Sequence, residues 1–136
     1  MSSSHKTKKR IKVSSAKAKG RSLQKWTCSK ISEVTGIEWG KDCPIESRPM
    51  GQTGVDVRME KRVLKIFPFS IECKRQETWS VHEWIKQAKD NQLEKTDWLL
   101  IVRKSGEKPI VILDGEVFFK LQQEIVNLKQ AKSTLE

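Results

Sequence analysis

Large apolar side chains are sparse in the first twenty positions and then recur in blocks whose spacing changes from one stretch to the next. Between Arg21 and Val34 they fall at Leu23, Trp26, Ile31 and Val34, which predicts one face of a helix with Gly36 as its stop. The interval 37–54 holds Gly40, Pro44, Pro49, Gly51 and Gly54 and reads as loop, with a short strand near Ile45–Arg48. Val55–Met59 and Phe69–Arg75 alternate and predict strands, while 61–67 fits neither period. Ser80 with Glu83 three residues on forms a capping box, and Val81, Trp84, Ile85, Ala88 and Gln92 follow at helical spacing. Trp98–Val102 is a continuous apolar run, as in a strand buried on both faces. Ser105–Gly106 marks a turn, and Pro109–Leu113 is a further strand. Asp114 caps a last helix, 115 to about 129, that carries Val117, Phe118, Leu121, Ile125 and Leu128. Helix, strands, helix, two strands, helix predicts a mixed α/β domain around one sheet. The stripe on the last helix is expected to be core, with its far end a possible dimer seam.

Composition adds a division of the chain. Of 136 residues, 27 are Lys or Arg and 17 Asp or Glu, a net charge of +10. Ten basic residues and no acidic one precede Glu33, so the whole excess lies in the first 32 residues and the remainder is neutral. Residues 1–19, rich in Ser, Lys and Arg, are expected to be a basic flexible arm, and 20–136 a single domain. An acid-free basic segment on a neutral body points to a polyanionic partner, most simply nucleic acid. A solvated tail that aids solubility is the plainer alternative. No stretch approaches the roughly 20 apolar residues of a membrane span, and the basic N-terminus lacks the apolar centre of a secretory signal. Three cysteines, Cys28, Cys43 and Cys73, without CxxC spacing argue against a disulfide framework or a zinc site and for a reducing, cytoplasmic setting.

Candidate chemistry lies on the strand Phe69-Ser70-Ile71-Glu72-Cys73-Lys74. Side chains alternate along a strand, so Phe69, Ile71 and Cys73 face one way and Ser70, Glu72 and Lys74 the other. Sixteen residues before Glu72, Asp56 sits between Val55 and Val57, just after Gly54. If the two strands pair, Asp56 approaches Glu72. Two converging carboxylates are hard oxygen ligands suited to Mg²⁺, with Mn²⁺ able to substitute, and the backbone carbonyl of Cys73 offers a third, neutral ligand. Lys74 would orient the attacking water or neutralise charge on a phosphate. A Glu-x-Lys pair standing alone is ordinarily a solvated ion pair; the upstream Gly-Val-Asp-Val and the basic arm are what change its meaning.

Asp56 followed by Glu72-Cys73-Lys74 resembles the PD-(D/E)xK phosphodiesterase superfamily, which includes restriction enzymes, λ-type exonucleases and archaeal-type Holliday junction resolvases. The supporting segments are 18–26 (AKGRSLQKW), 47–57 (SRPMGQTGVDV), 67–74 (FPFSIECK) and 84–88 (WIKQA), which together span roughly Lys19 to Leu121. The arrangement is most similar to small phage-encoded endonucleases of the resolvase kind. The resemblance implies a restriction-endonuclease-like core, a central mixed β-sheet flanked by α-helices. It also implies Mg²⁺-dependent hydrolysis of DNA, branched or duplex, by a homodimer in DNA recombination. Asp56 and Glu72 would be metal ligands and Lys74 the catalytic lysine. Gln87, one turn into the following helix, would touch the metal-bound water or a substrate phosphate; a plain surface Gln is the alternative. Asn91 lies on the same side four residues on. Arg48, Gln52 and Thr53, in the loop before the first acidic residue, would approach the scissile strand. Lys19, Arg21, Gln24 and Lys25 on the first helix would contact DNA beside the site. Two departures stand out. Resolvase relatives usually carry a metal-associated Glu where this chain has Gln24, and Glu33 lies nine residues too far along to replace it. Val55 stands where Pro commonly precedes the first acid.

Among the five tryptophans, Trp26, Trp84 and Trp98 sit at core spacing, whereas Trp39 and Trp79 lie in loops where stacking on an unpaired base is conceivable. His82 reads as a surface histidine and not as a general base. Cys28 and Cys73 read as small buried hydrophobes. Two other functions remain open at this point: an end- or nick-directed nuclease, and a non-catalytic nucleic-acid-binding protein on the same fold.

Overall fold

A computed structural model of the chain describes residues 13–49 and 53–135. The first helix, α1 (Val13–Thr35), buries Leu23, Gln24, Thr27, Cys28 and Ile31 along one face. It begins well before Arg21, so positions 13–19 of the expected arm are helical; residues 1–12 lie outside the described residues. The physical reason is that Ala, Lys and Arg between 16 and 21 are good helix formers, and extending an existing helix costs far less than nucleating one. Gly36 ends the helix as expected, at φ 74°, with its N–H donating to the Ser32 carbonyl at 2.8 Å.

The strands do not form one sheet. β1 (Ile45–Ser47) and β2 (Val57–Met59) pair antiparallel, with Glu46 opposite Arg58 and joined to it at 2.8 Å. The short helix α2 (Lys61–Leu64) follows. β3 (Phe69–Arg75) then runs parallel to β4 (Asp97–Arg103), and β5 (Ile110–Leu113) adds antiparallel on the far side. The result is a three-stranded mixed sheet in the order β3-β4-β5, with flanking helices. Among the described residues a single backbone bond, Asp56 N–H to the Ile71 carbonyl at 2.9 Å, ties the segment leading into β2 to the free edge of β3.

Helix α3 (Val81–Asp90) forms the crossover between the parallel strands. Its expected capping box is absent: the Ser80 side chain caps nothing, and Trp84 N–H bonds the Ser80 carbonyl instead. The α3–β4 connection is closed by a circuit of hydroxyls. Leu93 N–H donates to Ser70 Oγ (2.9 Å), Ser70 Oγ meets Thr96 Oγ1 (2.7 Å), and Thr96 Oγ1 donates to the Leu93 carbonyl (2.7 Å).

Both faces of the sheet are covered. On one, Phe69, Ile71, Leu99 and Ile101 pack with Leu23, Cys28 and Ile31 of α1 and with Ile45, Val57, Met59 and Val63. On the other, Trp98, Leu100 and Val102 pack with Trp84 and Ala88 of α3. Alternation along β4 feeds both layers, which is why 98–102 reads as an unbroken apolar run. The last helix, α4 (Gly115–Leu135), starts where expected, with Asp114 Oδ1 accepting from Glu116 N–H at 2.9 Å. It overturns the expectation of a core stripe, because none of its residues is buried and only Val117 and Leu121 pack against the first layer. Among the described residues no helix is long and apolar enough to cross a membrane.

Candidate functional site

The free edge of β3 and the α3 side of the same strand meet at Glu72. Glu72 is 4% exposed, inside a strand whose neighbours are apolar. Its carboxylate lies 3.6 Å from Lys74 Nζ and 3.4 Å from Asn91 Nδ2, which donates to Oε1. Lys74 Nζ donates in turn to Gln87 Oε1 at 2.6 Å. Glu72 and Lys74 share a face because they are two residues apart on a strand; Gln87 and Asn91 share one because they are four apart on a helix.

Asp56 lies in the bend just before β2, not inside the strand expected over Val55–Met59. Its N–H is fixed to the Ile71 carbonyl, its carbonyl accepts from Arg48 N–H at 2.8 Å, and its Oδ2 accepts from Cys73 N–H at 2.7 Å. These bonds hold the Asp56 side chain along the edge of β3, close enough for its charge to act on Glu72. Since Ile71 C=O and Cys73 N–H both point at this edge, the Cys73 carbonyl does too, because N–H and C=O of one strand residue point to the same side. The backbone carbonyl and the two carboxylates therefore border one spot.

Electrostatics there are tense. Burial, then the charge of Asp56, pushes the Glu72 carboxyl from 4.5 up to about 7, against the pull of Lys74. Burial also raises Asp56, opposed by the Cys73 N–H bond and the charges of Lys74 and Arg48. Two carboxyls held together with little solvent are a group that a cation relieves. Oxygen donors only, two of them anionic, fit a hard divalent ion such as Mg²⁺. Among the described residues no group of three or more His, Cys, Asp or Glu side chains is placed to hold a metal ion, and the Cys73 carbonyl is a further oxygen at this edge.

Beside this cluster a cleft of about 450 Å³ opens between the start of α1 and the end of β3, bordered by Lys17, Lys19, Gly20, Lys74, Arg75 and Thr78 among others. Lys19 thus shares a groove with Lys74. Arg21 and Lys25 are exposed on the opposite flank of α1, since at ~100° per residue two or six positions carry a side chain to the other side. Lys25 borders a separate depression with Trp39, Lys41 and Glu46. The expected first-helix set is thereby split. Gln24 leaves it altogether: at 2% exposure it lies inside the helix–sheet packing, one turn from Thr27, whose Oγ1 is 3.7 Å from Cys73 Sγ. A side chain sealed there does not meet DNA phosphates. Arg48 is half-buried and acts on Asp56, Thr53 is exposed, and Gln52 lies outside the described residues.

Lys17 was not singled out from the sequence, because position 17 falls in the segment expected to be a flexible arm and α1 begins earlier than expected. Trp39 and Trp79 are both exposed at the surface, whereas Trp84 and Trp98 are buried as expected. The three cysteines are free; burial pushes the Cys28 thiol up to about 12 and the Cys73 thiol well above its ordinary value. His82 is exposed. No family model, no curated protein and no solved structure matches the chain.

Proposed function

We propose that the chain is a metal-dependent DNA endonuclease of the PD-(D/E)xK type, acting on branched DNA as a Holliday junction resolvase. The observation that carries the reading is the convergence of Asp56, Glu72, the Cys73 carbonyl and Lys74 at one open strand edge, next to a cleft bordered by Lys17 and Lys19. Asp56, Glu72 and the Cys73 carbonyl hold Mg²⁺, or Mn²⁺ in its place. When bound, the ion polarises the phosphodiester and lowers the pKa of a coordinated water. Lys74, held by Gln87 and Glu72, points its ammonium at the same spot and stabilises charge developing on the phosphate. Asn91 keeps Glu72 oriented from the helix side. Lys19 grips phosphates along the cleft, so affinity falls steeply with salt. Cutting two opposed strands of a junction calls for two sites, hence a homodimer. A setting in the cytoplasm, that of the host if the chain is phage-encoded, belongs to this reading.

The test is cleavage of junction, duplex and nicked-circle DNA in Mg²⁺ by wild type, Asp56→Asn and Lys74→Ala. Loss of cleavage in both variants with retained thermal stability supports the assignment; unchanged cleavage by either overturns it. Cutting of linear ends or nicks alone would move the chain to an end- or nick-directed nuclease. A second reading, a non-catalytic nucleic-acid-binding protein on this fold, is favoured by one observation: Gln24 is neutral and sealed where resolvase relatives carry a carboxylate. It expects salt-sensitive binding with no metal-dependent cleavage of any of these substrates.

A further inference from the structure

The helix α4 leaves more apolar surface uncovered than any other element of the fold. Phe118 and Ile125 are exposed, Leu128 is 70% exposed and Leu135 88%. Beyond Leu121 no side chain of the helix packs on the body's core, yet the helix continues to Leu135. Those last fourteen residues would span ~21 Å, and a helix of only ~12–15 residues is marginal in water without a partner for its apolar stripe.

The stripe has a definite spacing. Phe118, Leu121, Ile125, Leu128, Lys132 and Leu135 follow one another at intervals of three, four, three, four and three residues. A helix lying on a globular core shows a broader apolar face; an alternating three-four seam is that of a coiled coil. In heptad terms Phe118, Ile125 and Lys132 occupy a, and Leu121, Leu128 and Leu135 occupy d; Leu121 is already partly covered by the chain's own core, so the uncovered d positions are Leu128 and Leu135. β-Branched Ile at a with Leu at d favours two parallel strands, and one polar residue at a fixes register at some cost in stability. The flanking charges agree. Glu124 falls at g and Lys129 at the next e, five residues on, so in a parallel pair each Glu124 faces the Lys129 of the other copy, twice over. An antiparallel pair would set Glu124 near Ala131 and leave both charges unmatched. Phe119 and Val126 fall at b and take no part.

We propose that residues 118–135 of α4 form a parallel two-stranded coiled coil with the same segment of a second copy of this chain. The two-fold axis then runs along the helix pair, and both bodies lie at its N-terminal end. The inference deepens the homodimer of the proposed function by naming its surface, but it stands on α4 alone and holds whether or not the chain cuts DNA.

Sedimentation equilibrium of the full chain in EDTA tests it. Wild type should sediment at twice 15.7 kDa, and Leu128→Asp should raise the dissociation constant by on the order of a hundredfold. Fluorescence of the buried Trp84 and Trp98 should stay native in that variant, because Leu128 does not touch their layer. Glu124→Lys should weaken the dimer, and adding Lys129→Glu should restore it. In a Cys43→Ser background, Leu128→Cys should cross-link to itself under mild oxidation. A wild-type mass of 15.7 kDa at ~100 μM, a Leu128→Asp dimer of undiminished strength, or failure of the charge swap to restore pairing would each overturn the proposal. An intact dimer with no nuclease activity counts against the proposed function only; an active monomer counts against the coiled coil and the homodimer, and leaves the metal site of the proposed function standing.

Discussion

Glu72→Gln in metal-free protein should stabilise the fold, and by an amount that depends on pH. Glu72 is 4% exposed and its carboxyl is raised from 4.5 to about 7, first by burial and then by Asp56. Between those two values the native state binds a proton that the unfolded chain releases. Stability is therefore fully present below pH 4.5 and is lost as pH rises through 7. The gap, at about 1.4 kcal/mol per pH unit, corresponds to roughly 3 kcal/mol. Asp56, also raised by burial, acts in the same direction. The glutamine has the same shape and removes the titration; its single oxygen still accepts from Asn91 Nδ2, while its amide nitrogen replaces the oxygen that faces Lys74 Nζ. In EDTA at pH 8 the variant should thus melt higher than wild type by roughly 10 °C, with the two near parity at pH 4.5. Wild type and variant share every other ionisable group, so their difference reports Glu72 together with its interaction with Asp56. Mg²⁺ should narrow the gap at pH 8 by stabilising wild type, by about 2.7 kcal/mol when present at a hundred times its dissociation constant. Thermal denaturation followed by circular dichroism from pH 4.5 to 8, with and without Mg²⁺, measures all of this. Parallel melting curves across that range, or a wild type that gains on the variant as pH rises, would refute the reasoning.

In the proposed nuclease, Gln87→Ala should lower kcat by on the order of tenfold and leave the melting temperature unchanged, because Gln87 is exposed and its side-chain oxygen accepts from Lys74 Nζ; rescue by Gln87→Glu, seen in a pH–rate profile, separates positioning from structure. Lys19→Ala should reduce the slope of log K against log salt by about 0.9 in a DNA-binding titration, the value for one phosphate contact, whereas Gln24→Asn should not change it. Ser70→Ala strips Leu93 N–H of its acceptor and breaks the hydroxyl circuit, and should cost about 1–3 kcal/mol in urea denaturation.

Much of the site was legible beforehand because local periodicity carries it. Alternation on β3 put Glu72 and Lys74 on one face, and the 87/91 spacing put Gln87 and Asn91 on another, before any contact between the two faces was known. The role of Gln24 was not legible. Its neighbours Arg21 and Lys25 are surface cations, and only the docking of α1 on β3 reveals that Gln24 falls on the buried side. The capping box failed for a related reason: Ser80 and Glu83 satisfy the sequence rule, but Ser80 sits at φ −124°, ψ 66°, and its hydroxyl caps no helix N–H.

The sequence by itself determined the elements with strong periodicity, the division of charge between the N-terminal segment and a neutral body, and the acidic–acidic–lysine order along the chain. These are properties of spacing, and spacing is written directly in the residues. Tertiary structure alone decided that the strands split into a pair and a triplet, that a backbone bond from Asp56 to Ile71 brings two distant carboxyls to one strand edge, and that α4 leaves most of its stripe uncovered. Each of these depends on which surface is already occupied by another part of the chain. An apolar stripe looks the same in sequence whether it faces its own core or a second molecule, and a carboxylate pair acquires its shared charge only once the folded backbone holds both groups at one edge.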